Sequence, residues 1–168
     1  MQKKILDACC GSRMFWFDRA EPHTVYVDNR ETIDTLCDGR QLIVKPDIIA
    51  DFRNLPFPDN SFYLVVFDPP HLIRGGEKGW MVKKYGKLTG NWRDDIKTGF
   101  SECMRVLKPN GTLIFKWNEE QIPQKEVLQA IGHKPLFGDR RTKTHWMTFM
   151  KFDAEIERGK DGRQPTCE

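Results

Sequence analysis

Phe62-Tyr63-Leu64-Val65-Val66-Phe67-Asp68-Pro69-Pro70-His71 is the stretch on which the reading of this chain turns. Its first six residues form an unbroken apolar run, the pattern of a central strand buried on both faces of a parallel sheet. The run ends on a carboxylate followed by two prolines. Neither proline has an amide hydrogen and each fixes its own φ, so the Asp68 carboxylate and the Pro69 carbonyl face outward as two rigid acceptors. Such a pair suits a substrate –NH2 group. An amino group conjugated to an aromatic base or an amide is a poor nucleophile, and acceptors that hold its hydrogens favour the pyramidal geometry of the transition state.

Outward from this strand, short apolar runs alternate with helical patterns, which predicts a mostly parallel sheet covered by helices. Strands are expected at Lys4–Ala8, Thr24–Val27, Asp47–Ala50 and Thr112–Trp117, and an antiparallel pair at Lys134–Phe137 and His145–Phe152. A short helix is expected over Glu31–Leu36, ended by Asp38-Gly39. A long one is expected over Asn91–Leu107, where Ile96, Phe100, Cys103, Met104 and Leu107 recur at helical spacing and Lys108-Pro109-Asn110-Gly111 ends it. Pro123 suits the first turn of a last helix that Gly132 closes. One domain over residues 1–152 is expected, with a frayed polar tail over 153–168.

The composition narrows the field. A chain of 168 residues is long enough to build its own core. No apolar run approaches the roughly 20 residues that cross a bilayer, and Met1-Gln2-Lys3-Lys4 runs into a strand without a basic-then-apolar leader, so a cytoplasmic protein with no membrane contact is expected. The five cysteines (Cys9, Cys10, Cys37, Cys103 and Cys167) form no C-x-x-C pair, which argues for reduced thiols over zinc or disulfides, and no metal is expected. A net charge of +3 permits nucleic acid as a partner without demanding it.

In open α/β sheets, ligands bind at the carboxyl ends of the strands. The first strand ends in Asp7-Ala8-Cys9-Cys10-Gly11-Ser12, where small residues let a ligand approach the backbone but the G-x-G-x-x-G of a dinucleotide site is missing. The second ends in Asp28-Asn29, suited to ribose hydroxyls or, equally, to capping a helix. The third ends in Asp51-Phe52, suited to an adenine amino group and its ring or, again, to a turn. After the prolines, residues 72 to 90 carry five glycines, with Lys83 and Lys84 among Trp80 and Tyr85 and with Trp92 just beyond. Loops this long are often functional. Its lysines and rings are suited to following a phosphate backbone and stacking on an unpaired base, and a solvated loop is the plainer alternative.

Taken together, these residues resemble the class I S-adenosylmethionine-dependent methyltransferases, and within them the amino-methyltransferases with a [DNS]-P-P-[YFWH] active-site tetrapeptide. Asp7-Ala8-Cys9-Cys10-Gly11-Ser12 resembles the family's D-P-F-x-G-S-G loop. Leu55-Pro56-Phe57-Pro58-Asp59-Asn60-Ser61-Phe62 and Arg105-Val106-Leu107-Lys108-Pro109-Asn110-Gly111 are phrases common in the wider family, and the likeness runs from about residue 3 to 152. The resemblance implies a Rossmann-like α/β fold, with a mostly parallel seven-stranded sheet, an antiparallel last strand and helices on both faces. It implies S-adenosylmethionine as cofactor, held by Asp7, Ala8, Cys9, Gly11, Ser12, Asp28, Asn29, Asp51, Phe52 and Asp68. Asp68, Pro69, Pro70 and His71 become the catalytic set, and Trp80, Lys83, Lys84, Tyr85 and Trp92 the substrate contacts.

The expected acceptor is an exocyclic amine, most simply adenine N6 of DNA or RNA in a flipped or unpaired base. A small molecule, a protein glutamine amide, or a non-catalytic subunit that recognises its target with a protein partner are the alternatives. Two departures from the family pattern stand out: Arg13 replaces a loop glycine, and His71 replaces a larger aromatic. No segment is long enough for a separate target-recognition domain. Cys9, Cys10, His23, His133 and His145 are read as structural side chains.

Overall fold

The computed structural model describes residues 3–76, 79–139 and 142–153; most of the expected tail lies outside them. Seven strands form one sheet in the order β5-β2-β1-β6-β7-β9-β8. They are β1 (Ile5–Asp7), β2 (Thr24–Asp28), β5 (Ile48–Ile49), β6 (Phe62–Phe67), β7 (Leu107–Asn118), β8 (Phe137–Gly138) and β9 (Thr144–Met150). The first five run parallel, while β9 pairs antiparallel with both β7 and β8. The architecture is the expected Rossmann-like one, with β6 at its centre. Among the described residues, no helix is long and apolar enough to cross a membrane.

Strand alternation divides the sheet into two unlike faces. Leu6, Val27, Val65, Phe67, Leu113, Phe115 and Phe149 point to one side, into a single core. Helix α2 (Trp92–Val106) closes that core with Ile96, Phe100, Cys103 and Val106, and α3 (Gln124–Ile131) adds Val127 and Ile131. The α2 stripe is the periodicity visible in the sequence. Gly99 lies at its closest approach to the sheet, where a Cβ would run into the Phe52 and Phe67 rings.

The other face corrects the expectation of helices on both sides. Among the described residues it is covered by the turns after β1, not by a helix. Phe15 packs edge-on against Trp146 at 5.3 Å, Trp16 against Tyr26 at 5.4 Å, and the Arg13 guanidinium lies 3.6 Å from the centre of the Tyr26 ring. Flat rings cover the pleated surface here without the three-residue spacing a helix needs.

A second correction concerns Glu31–Leu36. The segment is not helical: Thr32–Thr35 forms β3, paired antiparallel with β4 (Gln41–Val44) in a separate two-stranded sheet. Thr32, Ile33 and Thr35 are β-branched and favour extended backbone. Asp38-Gly39, read as the end of a helix, turns a hairpin instead, with Gly39 at φ +83°. Within residues 72–90, where the glycine-rich sequence predicts a loop, the chain also forms a short helix, α1 (Trp80–Tyr85).

Candidate active site

A cleft opens at the carboxyl ends of β1, β2, β5 and β6, where a parallel sheet leaves its strand-end backbone free. Counted out to open solvent it encloses ≈ 900 Å³. Its floor is Ala8, Cys9, Gly11 and Ser12 after β1; Asp28 and Asn29 after β2 form one wall and Asp68, Pro69, Pro70 and His71 after β6 the other. Ala50 and Phe52 line it after β5, and Lys84 and Tyr85 of α1 overhang it.

The loop after β1 is held by its backbone. Gly11 sits at φ +47° and its amide donates to Asp28 Oδ2 at 2.9 Å, so loop and wall are one unit. Arg13, the departure from the family pattern, also adopts a left-handed conformation at φ +55°. Its guanidinium anchors that turn by donating to the carbonyls of Arg19 and Lys45. A backbone shape usually given to glycine is kept here with a side chain that works as a strut. Asp28 is nearly buried, and its Oδ1 accepts from the amide and Nε of Arg30. Arg30 continues to the Lys83 carbonyl at 2.9 Å and so ties α1 to this wall.

Across the cleft, Asp68 Oδ2 accepts from Lys116 Nζ at 2.6 Å. Burial raises the Asp68 carboxyl above its ordinary value, and the Lys116 charge opposes that rise. Burial pulls the His71 imidazole down to about 4, with the Lys116 charge acting in the same direction. His71 is therefore a neutral flat ring near pH 7, tilted against Tyr85 with centroids 5.3 Å apart. Burial pushes the Cys9 thiol well up and that of Cys10 to about 12, so neither is an available thiolate. A second cavity meets the first at Asp68, His71 and Tyr85, lined further by Trp80, Met81, Lys116 and Asn118.

Four of the expected site residues lie elsewhere. Asp7 is fully buried behind the floor, accepting from Trp16 Nε1 at 2.7 Å, and burial raises its carboxyl to about 7. Asp51 is bound by Arg53, whose Nη2 donates to Oδ2 at 2.6 Å, and it does not line the cleft. Lys83 pairs with Asp34 of β3 at 2.6 Å. Trp92 is buried in the core. In each case a partner or a packing face takes the side chain that the sequence offered to a ligand. Arg30 and Lys116 line the cavities without having been expected there. Only Lys116 carried a signal, as a charge between Phe115 and Trp117 in an apolar strand. Among the described residues no group of histidines, cysteines or carboxylates is placed to hold a metal.

No family model matches the chain, and no curated protein does. Solved structures do. The 1,6-didemethyltoxoflavin-N1-methyltransferase of Burkholderia thailandensis, solved with S-adenosylhomocysteine, matches with a TM-score of 0.53 at 13% identity, over 89% of this chain and 71% of that one. A SAM-dependent methyltransferase of Leishmania major matches at 0.50 and 16% identity, over 88% and 64%. A chain of the Haloferax volcanii complex between the Trm112 methyltransferase activator and a methyltransferase matches at 0.51 and 14% identity, over 90% and 84%. The fold is that of the SAM-dependent methyltransferases. Identities this low speak to architecture alone, and the chemistry has to be argued from the cleft.

Proposed function

We propose that this chain is an S-adenosylmethionine-dependent methyltransferase that modifies an exocyclic amino nitrogen, with adenine N6 of a nucleic acid as the leading acceptor. The observation that carries this reading is the cleft itself, where the Asp28 carboxylate and the Asp68-Pro69-Pro70 turn face one space across a glycine-bearing floor.

The residues present suit an adenosyl cofactor. Asp28 is a nearly buried carboxylate on the wall, fixed by Gly11 and Arg30, and would accept from ribose hydroxyls. Ala50 and Phe52 offer an apolar edge for the base beside Asn29, while Ala8, Cys9, Gly11 and Ser12 would take the amino-acid end. When bound, the cofactor supplies a methyl group activated by its sulfonium charge. Asp68 and the Pro69 carbonyl would hold the hydrogens of the acceptor amine and turn its lone pair toward that methyl. Pro70 keeps the turn rigid, and neutral His71 with Tyr85 offers ring surface for a flat acceptor.

Trp80, Lys84 and Tyr85 overhang the two cavities and suit an extruded base with its backbone outside. A small-molecule acceptor is the second reading, favoured by the same structure's use of Lys83 in an ion pair and of Trp92 in the core. A protein activator is a further possibility for target recognition, on the analogy of the Haloferax complex alone.

The test is transfer of a radiolabelled methyl group to separate RNA, DNA, protein and metabolite fractions. Label in RNA or DNA, recovered as N6-methyladenine, is the expected outcome. Label only in the metabolite fraction would replace the leading acceptor with the second reading, and label in none, with the cofactor bound, would point to a subunit that needs a partner.

A further inference from the structure

The wall between the two cavities contains a cation whose surroundings are unusually complete. Lys116 and Asp68 point to the same face of the sheet from neighbouring strands, and their side chains are only 19% and 21% exposed. The Lys116 ammonium donates to Asp68 Oδ2 at 2.6 Å. It also lies 5.4 Å from the centre of the Phe15 ring and 5.7 Å from that of Trp146, and these rings pack edge to face. A lysine on an open surface would spread its ammonium over many rotamers. Here a carboxylate and two ring faces hold it in one place. Asp68 Oδ1 accepts no hydrogen bond among the described residues.

We infer that Lys116 is a positioning residue for Asp68: its ammonium fixes Oδ2 and thereby leaves Oδ1 in a set orientation to receive the acceptor amine. The inference rests on the proposed methyl-transfer reading of the cleft. Its physical basis is simple. The terminal torsion of an aspartate is broad, so a carboxylate held only by its backbone swings through a wide arc. One charge-assisted bond to a side chain that is itself clamped removes that freedom. The amine then meets an oriented acceptor, and misplacement by even an ångström would cost about 10²-fold in rate.

The same contact opposes protonation of the carboxylate. Burial raises the Asp68 carboxyl, and both the charge and the hydrogen bond of Lys116 work against burial. A protonated Asp68 would present a donor where the amine needs an acceptor. Around Asp68 the other ionisable groups are Asp7 and Cys9 at the end of β1, whose protonation the Asp68 charge favours, and His71 on the same turn. Cys10, Asp28, Arg30, Lys84, Tyr85 and Lys87 around the first cavity and, across the second, Arg74 and Glu120 complete the set. Of these neighbours Lys116 alone makes a direct bond to the carboxylate among the described residues.

The experiment is a carboxyl 13C NMR titration of Asp68 in the wild type, Lys116→Met and Lys116→Arg, with calorimetry against S-adenosylhomocysteine and a pH profile of kcat on whichever fraction accepts label. In Lys116→Met, Asp68 is expected to titrate at higher pH, and the acid limb of kcat to move with it. Turnover should fall about 10²-fold while S-adenosylhomocysteine binds as before. Lys116→Arg should bring the Asp68 titration back toward the wild-type position. If Lys116→Met does not fold, Lys116→Gln reads the same titration with the charge removed. An Asp68 titration that stays put without the charge would overturn the inference, as would a loss of kcat whose acid limb does not move. An Asp68 shift in Lys116→Met, with no S-adenosylhomocysteine bound by the wild type, would overturn the methyl-transfer reading and leave the hold of Lys116 on Asp68 standing.

Discussion

The two faces of the sheet differ in what they are built to do. Toward α2 and α3, the residues that end β1, β2 and β6 place Leu6, Val27 and Phe67 in a dry core. One residue further on, alternation turns Asp7, Asp28 and Asp68 to the opposite face, where Lys116 joins them. Among the described residues that face is covered by rings and turns instead of a helix, and three of those four charged groups reach the two cavities. On the proposed reading, stability resides mainly on one face and chemistry on the other. Mutations should separate along the same division.

The largest effect is expected from Asp68→Ala. Removing the central acceptor should lower methyl transfer by about 10³-fold while S-adenosylhomocysteine still binds, as read by labelled-methyl transfer beside calorimetry. Wild-type rates from this variant would erase the chemical role assigned to that face. On the other face, Phe115→Ala empties a fully buried site packed between Phe67 and Phe100. It should cost about 3–5 kcal/mol in urea unfolding; a loss under 1 kcal/mol would mean the core does not rest where the packing puts it. Asp28→Ala should weaken S-adenosylhomocysteine binding by about 10- to 100-fold in calorimetry, the loss of a charged hydrogen-bond partner. Unchanged affinity would remove Asp28 from the cofactor site.

The smallest effect sharpens the comparison most. Asp7 shares its face with Asp28 but is closed off under Trp16, and its carboxyl is raised to about 7 from an ordinary value of 3.8. The folded protein then binds a proton more tightly than the unfolded chain does between those values. Its contribution to stability is present below about pH 4 and lost as the pH rises toward 7. Asp7→Asn keeps an acceptor for Trp16 without a charge to bury. It should melt higher than the wild type at pH 8, match it near pH 4, and bind S-adenosylhomocysteine as well as the wild type does. His71 works in the opposite direction. Its folded value of about 4 lies below the ordinary 6.5, so stability is lost as the pH falls through that interval, and His71→Phe should flatten the acid limb of the melting profile.

The face that was legible in the sequence is the structural one. Ile96, Phe100 and Cys103 recur at helical spacing and Phe62–Phe67 is a short run that is apolar throughout, so spacing recovers α2 and the bounded apolar run recovers the central strand. The Asp68-Pro69-Pro70 turn was legible because proline chemistry is local. What was not legible depends on which partner each side chain takes in the fold, near or far along the chain. Asp28 and Asp51 look alike as strand-end aspartates, yet one lines the cleft and the other is taken by Arg53. Asp7 is removed from the cleft by Trp16, nine positions away. Lys116 reaches Asp68 only because β7 pairs with β6 in the register Phe67↔Phe115. The hairpin of β3 and β4 was not legible because Asp38-Gly39 punctuates helices and hairpins alike, and the β-branched Thr32, Ile33 and Thr35 that favour a strand span only four residues.

The central claim is that the cleft over Gly11 and beside Asp28 holds an adenosyl cofactor. Calorimetric titration of the purified wild-type protein with S-adenosylhomocysteine tests it directly. A single saturable site with one molecule bound per chain is the predicted result. Absence of any saturable heat, in protein that unfolds cooperatively and is therefore folded, would contradict it.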